Sequence, residues 1–209
     1  TITSNRALSS YDILMADNVG GSSTLTVSGS YATSALMNGT GGIHLQGVQN
    51  FNVADITAST AADLTVSMTL DDAGTAGGAL GGINKTGAGT LKFTTATTYT
   101  GATTINAGTL ELATANYALG MKTSGITVNS GAFFDINGTN ILYSGSTYIP
   151  ITANSGTVRI ISTAAGAHNH FGLLTLSGGT IWGKATSPYA SQYSTFDKDI
   201  TVSGSARSV

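Results

Sequence analysis

The chain has 209 residues, of which 28 are glycine, 2 are proline and none is cysteine, and only 9% are charged. Without cysteine the sequence can form neither a disulfide framework nor a thiolate metal site. The formal net charge is -2 and the eight lysine and arginine residues are scattered, so the sequence predicts no nucleic-acid partner.

The sequence also bears on the membrane and on export. No apolar run approaches the roughly 18 residues that a membrane-spanning helix needs. Residues 1–5 lack the basic start and the apolar segment of a signal peptide. If the protein is exported, we therefore expect this chain to be a mature form or an internal fragment.

The first part of the chain, residues 1–22, is the least regular. It predicts either a cap over the end of a core or an irregular first rung, a rung being one full turn of a coil. From Ser23 onwards apolar and polar residues alternate in short runs, which is the period of half-buried strands. The apolar pairs of these runs are Leu25/Val27, Ile43/Leu45, Phe51/Val53, Leu64/Val66 and Met68/Leu70.

The clearest pattern is the stretch 81–112, which reads GGINKTGAGTLKFTTATTYTGATTINAGTLEL. Its segments TLKF and TLEL alternate with the period of a strand. The glycines between the strands are expected where the chain bends, because glycine takes positive φ without steric cost. Threonine favours strands, and threonines stacked on neighbouring strands can share hydroxyl hydrogen bonds. Short strands separated by regular glycine bends are typical of a chain that winds in successive turns of β-structure.

This stretch resembles the autotransporter-associated β-strand repeat, which occurs in the passenger regions of large secreted bacterial surface proteins. The shared features are the glycine pair, Lys85, two Gly-Thr-Leu segments, Tyr-Thr-Gly and the following threonine pair. The resemblance covers about a seventh of the chain and departs from the family at residues 94–98, where the family has a glycine and an asparagine. It implies a right-handed parallel β-solenoid outside the cell, and it brings no catalytic residues.

The second half of the chain continues the pattern after a polar segment at residues 113–124. The apolar pairs are Ile126/Val128, Phe134/Ile136, Ile149/Ile151, Val158/Ile160 and Leu174/Leu176. Residues 183–197 predict a longer loop, and residues 200–204 predict a last strand.

A similar unit every 20 to 25 residues, roughly, indicates a solenoid, since one such unit cannot bury its apolar face alone. A jelly roll or a sandwich also contains many short strands, but the glycine bends and the recurring Gly-Thr-Leu favour the coil. We predict an all-β chain with a single elongated domain. Residues 23–209 form a right-handed parallel β-solenoid, and residues 1–22 form the cap or the irregular rung.

The acidic residues offer two adjacent or near-adjacent pairs for glycoside cleavage, which needs paired carboxylates. Asp71 and Asp72 point to opposite faces of a strand, and within a glycine-rich loop they fit a turn cap better. Asp197 and Asp199 share a face if extended, but this spacing is equally ordinary at the start of a polar strand. We therefore predict no catalytic residues.

Histidines occur together only in His168-Asn169-His170. On a strand both imidazoles share a face and can contribute to a metal site, yet no third ligand lies nearby. An exposed loop is the favoured interpretation. We predict neither a metal nor a cofactor.

Aromatic residues are concentrated at Trp182, Tyr189, Tyr193 and Phe196. On an exposed loop they can stack on sugar rings or contact a partner. The alternative, which we favour, is that they pack as a lid over the flank of the coil, because aromatics supply much of a core's apolar area. Trp182, Tyr189 and Tyr193 are the candidate glycan or partner contacts.

Together these observations favour a structural protein and not an enzyme: a rigid stalk, an adhesin segment or a fibre subunit at a bacterial surface or outside the cell. The expected partners are a second copy, through head-to-tail stacking of rungs, or a ligand on a host or cell surface. The alternative is a glycan-binding or polysaccharide-degrading β-helix.

Overall fold

The computed structural model describes residues 2–4, 13–15, 22–72, 80–95, 97–114, 123–144, 147–162, 168–183 and 193–204. Within these ranges every regular element is a β-strand, and none of the residues forms a helix that could cross a membrane.

The strands are short, as the alternating runs predict. They are β1 (Ile2–Ser4), β2 (Ile13–Met15), β3 (Thr24–Val27), β4 (Ala35–Gly39), β5 (Gly42–Leu45), β6 (Val48–Val53), β7 (Leu64–Val66), β8 (Thr69–Asp71), β9 (Gly82–Thr86), β10 (Thr90–Phe93), β11 (Thr103–Ile105), β12 (Thr109–Leu112), β13 (Ile126–Val128), β14 (Phe133–Ile136), β15 (Tyr143–Ser144), β16 (Thr147–Tyr148), β17 (Ile151–Asn154), β18 (Thr157–Ile160), β19 (His168–Phe171), β20 (Leu174–Ser177), β21 (Thr180–Gly183), β22 (Tyr193–Phe196) and β23 (Ile200–Ser203).

Two parallel sheets of eight strands form two sides of the molecule. The first sheet has the order β1-β4-β7-β10-β12-β14-β18-β21, and the second sheet has the order β3-β6-β9-β11-β13-β17-β20-β23. A third side contains the parallel sheet β2-β5-β8 and the parallel pair β19-β22. The chain visits the sides in turn, so the predicted all-β parallel solenoid is confirmed. Seven inter-strand spacings make each large sheet about 34 Å long.

The strands stack in register, which places like residues in columns. One inward-facing column of the second sheet is Leu25, Phe51, Lys85, Ile105, Val128, Ala153, Leu176 and Val202. All of these side chains but Lys85 are apolar, and those in the middle of the column, from Phe51 to Ala153, are fully buried. Burying each large apolar side chain contributes about 1.5–3 kcal/mol relative to leaving it in water. The stacked columns form one continuous core along the solenoid.

Glycine is required at the bends where the chain passes from the second sheet to the first. Gly87 and Gly108 have φ of 78° and 64°, which L side chains rarely adopt. A Cβ atom added at Gly108 would lie 2.4 Å from the carbonyl oxygen of Gly89, on the preceding rung. At these two glycine positions the bend therefore packs too closely on the neighbouring rung to admit a side chain.

The structure differs from the prediction of a loop across residues 183–197. Gly183 ends β21, and Tyr193–Phe196 is strand β22, which pairs in parallel with β19. The sequence does not reveal this pairing, because backbone hydrogen bonds to β19 make it. Near the start of the chain, β1 and β2 extend the first sheet and the third side, and the rest of residues 1–21 lies outside the described part.

Candidate functional site

The outer face of the first sheet carries a column of charged side chains, here called the charged ladder: Lys92, Glu111, Asp135 and Arg159. Each is the third residue of its strand, and the strands pair in register. Trp182 occupies the next position of the column, on β21. The acidic pairs that the sequence suggested, Asp71/Asp72 and Asp197/Asp199, are not part of this column.

Asp135 and Arg159 form the tighter half of the ladder. Arg159 Nε and Nη2 donate to the two carboxylate oxygens of Asp135 at 2.5 and 2.7 Å. The same guanidinium lies 4.2 Å from the centroid of the Phe133 ring. Burial raises the pKa of Asp135, Arg159 opposes this rise, and the neighbouring Glu111 adds to it. The pair is a fixed, planar and largely desolvated ion pair.

Lys92 and Glu111 form the other half, with Nζ 3.0 Å from Oε1. Asn137 Nδ2 donates to the same Glu111 oxygen at 2.7 Å. Glu111 and Asp135 are cross-strand neighbours, so two carboxylates stand on one face of the sheet, and glycoside cleavage uses a pair of carboxylates. Each is already paired with a cation, however, and this geometry stabilises the sheet and screens the two like charges.

Trp182 is the one predicted contact residue whose side chain is described, and 46% of it is exposed. Tyr193 lies on β22, opposite His168, and therefore on the third side and not beside Trp182. Tyr189 lies outside the described residues. Phe196 stacks on Phe171 with ring centroids 5.1 Å apart. The structure thus separates the described aromatics onto different sides of the solenoid.

The acids singled out in the sequence lie at bends or beside histidines. Asp72 Oδ2 accepts hydrogen bonds from the backbone N–H of Gly81 at 3.1 Å and of Thr100 at 2.9 Å, which makes it a cap between bends. Asp71, on β8, has Oδ1 2.5 Å from His44 Nδ1. Asp71 and Asp72 therefore have separate structural partners.

His168 and His170 lie on strand β19, where the sequence analysis favoured a loop. Both are half-buried, and His170 Nδ1 is 2.8 Å from Asp197 Oδ2, one rung away. Asp199 uses its backbone carbonyl to accept from Leu174 N–H at 3.2 Å. Among the described residues, no group of three or more histidine and acidic side chains could hold a metal ion.

Two buried charged residues, Lys85 and Asp63, form hydrogen bonds with the backbone of the bends. Lys85, in the apolar column of the second sheet, donates from Nζ to the carbonyls of Thr86, Gly87 and Ala107 at 2.8, 2.8 and 3.1 Å. Burial lowers the pKa of Lys85 to about 8, and the charge of Asp63 acts in the opposite direction. The lysine of the repeat therefore joins two successive bends.

Asp63 is the complementary acid. Its carboxylate accepts backbone N–H groups of Ile56 at 2.8 Å, Thr57 at 2.9 Å and Thr90 at 2.7 Å. Burial alone raises the pKa of Asp63, but these hydrogen bonds outweigh it and hold the pKa below its usual value. Asp63 thus satisfies donors on two rungs.

The outer face of the second sheet is uncharged, and its side chains form hydrogen bonds from strand to strand. Asn129 Nδ2 donates to Asn106 Oδ1 at 2.6 Å, and Asn84 Nδ2 donates to Asn50 Oδ1 at 2.7 Å. The column of Asn50 and Asn84 continues with threonines on five successive strands: Thr104, Thr127, Thr152, Thr175 and Thr201. Such a surface stabilises rung stacking through side-chain hydrogen bonds and offers no reactive group.

Comparison with known proteins supports the repeat. Residues 83–112 match the family model of the passenger-associated-transport-repeat. No curated protein and no solved structure matches the chain. The matched residues contain β10, β11 and β12 together with Lys85, Gly87 and Gly108. The chain is therefore a β-solenoid with a segment similar to the passenger-associated-transport-repeat, a repeat family that implies secretion or surface exposure.

Proposed function

We propose that this chain is a structural segment of an exported surface protein, a stiff spacer that works mechanically and catalyses no reaction. The observation that carries the proposal is the unbroken in-register pairing of both eight-stranded sheets over one apolar core. The passenger-repeat match at residues 83–112 supports display outside the cell. Every rung adds backbone hydrogen bonds and buried area, so stability accumulates along the axis and each rung is held by its neighbours.

Native-state trypsin digestion tests the mechanical part of this proposal. Lys92 and Arg159 lie in central strands, whereas Lys198 is exposed between β22 and β23. We expect cleavage at Lys198 long before cleavage at Lys92 or Arg159, because a central strand must leave both neighbours before a protease can bind it. Equal cleavage rates at the three sites would contradict a stiff spacer.

A display experiment tests the location. Residues 1–209 would be placed between a secretion signal and an autotransporter translocator in a Gram-negative host. We expect added trypsin, which does not enter the cell, to cut the chain on intact cells at the exposed Lys198. No cleavage at Lys198 in intact cells, with cleavage there only after lysis, would contradict surface exposure.

A second role, end-to-end assembly, is favoured by both outer edges of the second sheet. Ile200 and Val202 on β23 occupy inward-facing register positions, yet 75% of Val202 is exposed. At the other edge, a cavity of about 490 Å³ opens beside the inner face of β3. A second copy that placed its β23 beside β3 would cover the exposed Val202 and the cavity. It would also continue the backbone hydrogen bonds of the second sheet from one copy to the next.

Sedimentation velocity across a concentration series tests this assembly, with electron microscopy to detect filaments. We expect oligomers that disappear in Val202→Lys and persist in Thr152→Lys, which places the same charge on the outer flank. A monomer at every concentration, or an unchanged series in Val202→Lys, would contradict the assembly.

A further inference from the structure

We propose that the end of the charged ladder is a binding platform for a neutral oligosaccharide, with Trp182 as the stacking surface and Arg159 as the fixed hydrogen-bond donor. This role is separate from the mechanical one, because it uses the outer face of the first sheet and not the core.

The platform has an aromatic surface in the position that sugar stacking requires. Trp182 is the only tryptophan of the chain, and 46% of it is exposed on the outer face of β21. Thr180, two residues earlier on the same strand, is exposed on the same face. Side chains at these positions stand about 6.6 Å apart. An apolar ring next to a hydroxyl suits a ligand with a C–H face and polar edges.

Arg159 is pre-organised beside this ring. It stands opposite Trp182 in the register and is fixed by Asp135 and by the Phe133 ring. The two bonds to Asp135 use Nε and Nη2, so the Nη1 hydrogens remain for another acceptor. A side chain held in place loses little entropy when it binds a hydroxyl, which favours affinity.

The charges of the ladder indicate which class of glycan fits. Lys92 pairs with Glu111, and Arg159 pairs with Asp135, so the four charges cancel. An anionic glycan would meet Asp135 and Glu111 as well as the cations, and it would gain no net attraction. A neutral oligosaccharide has no such conflict. Its hydroxyls can accept from Arg159 and can exchange hydrogen bonds with Thr180.

The single tryptophan makes the test direct. The folded chain would be titrated with neutral hexasaccharides of β-1,4-linked glucose, α-1,4-linked glucose and β-1,4-linked N-acetylglucosamine, and with a heparin hexasaccharide. We expect a saturable change of tryptophan emission with at least one neutral probe, with Kd below about 5 mM, and none with heparin.

Variants identify the surface, with calorimetry as the readout where tryptophan is lost. Trp182→Ala is expected to weaken binding about 30-fold, as for an aromatic anchor, and Thr180→Val about threefold to tenfold. Tyr31→Ala removes another exposed aromatic side chain, far along the axis, and should bind normally. The proposal is overturned if no neutral probe saturates, if only heparin binds, or if Trp182→Ala binds as tightly as the parent.

Discussion

Replacing Arg159 by methionine should destabilise the solenoid far more than an ordinary surface substitution does. The change keeps a long apolar side chain against Phe133, where a thioether still makes a favourable contact. It removes both donors from Asp135, whose side chain is only 8% exposed, and leaves that carboxylate beside Glu111. The variant therefore isolates the loss of the ion pair.

The magnitude follows from the burial of the two partners. Leaving one charge of a buried pair without its partner costs about 3–5 kcal/mol, whereas breaking an exposed pair costs about 0.2–1 kcal/mol. Asp135 is nearly buried, but 30% of the Arg159 side chain is exposed, so water partly screens the charge. We expect a loss of about 3 kcal/mol in the free energy of unfolding at pH 7.

The control is Lys92→Met, on the same face and in the same column. Glu111 is bonded to Lys92 through one oxygen and keeps the donor of Asn137 when the lysine is removed. The free energy of unfolding should fall less in Lys92→Met than in Arg159→Met, because Glu111 loses one bond and Asp135 loses two. Urea unfolding would be followed by circular dichroism, which reports all strands, and by the emission of Trp182, which reports the substituted region.

The pH dependence supplies a second check. Burial and Glu111 raise the pKa of Asp135 while Arg159 opposes the rise, so removing Arg159 raises it further. A raised carboxyl pKa means that the folded state binds the proton more tightly, and acid should relieve the penalty. The loss of unfolding free energy in Arg159→Met should therefore be smaller near pH 4 than at pH 7.

The double variant Asp135→Asn/Arg159→Met should recover most of the stability. A loss below about 1 kcal/mol at pH 7, or an equal loss at both pH values, would refute the reasoning.

Three further predictions concern the bends. Gly108→Ala should cost at least about 1 kcal/mol more than Gly131→Ala in urea unfolding. Both positions have positive φ, but only an added Cβ at Gly108 meets neighbouring backbone; equal losses would contradict the close approach. Lys85 has a folded pKa of about 8, below its unfolded value of 10.5, so the unfolded chain binds more protons between these values and stability should rise with pH across that window. The rise should vanish in Lys85→Met. Asp63 has a lowered pKa, so its contribution is present above pH 3.8 and is lost as the pH falls through the folded value. Asp63→Asn should cost about 1–3 kcal/mol at pH 7 and progressively less in acid.

The fold was largely predictable from local pattern. Three local patterns predicted the all-β class and the solenoid: alternation over four residues, glycine at the bends and the recurrence of Gly-Thr-Leu. Local patterns suffice here because each strand packs mainly on its neighbours in the stack. The segment containing β22 was harder. Its residues Tyr193–Phe196 pair with β19 through backbone hydrogen bonds that composition does not reveal.

The charged ladder was hidden for a different reason. Its members are separated by about 20 residues or more, and only register brings them together. A signal was nonetheless present, since aligning TLKF, TLEL, FFDI and TVRI on their second residue places Lys92, Glu111, Asp135 and Arg159 in one column. Lys85 shares the period of Ile83 and so belongs to the inner face. The three carbonyls that make a lysine tolerable there become visible only when two bends are stacked.

The unequal spacing of the register has a consequence for engineering. In one inward-facing column, Phe51 is followed by Lys85 after 34 positions, whereas Lys85 is followed by Ile105 after 20. The sheets remain in register through both intervals, so the extra residues are accommodated between strands without disturbing the core. Lengthening a flexible loop costs free energy only in proportion to the logarithm of its length. A peptide epitope inserted within the exposed residues 58–61, in the bend between β6 and β7, should therefore be presented on the flank of the solenoid while the sheets keep their register.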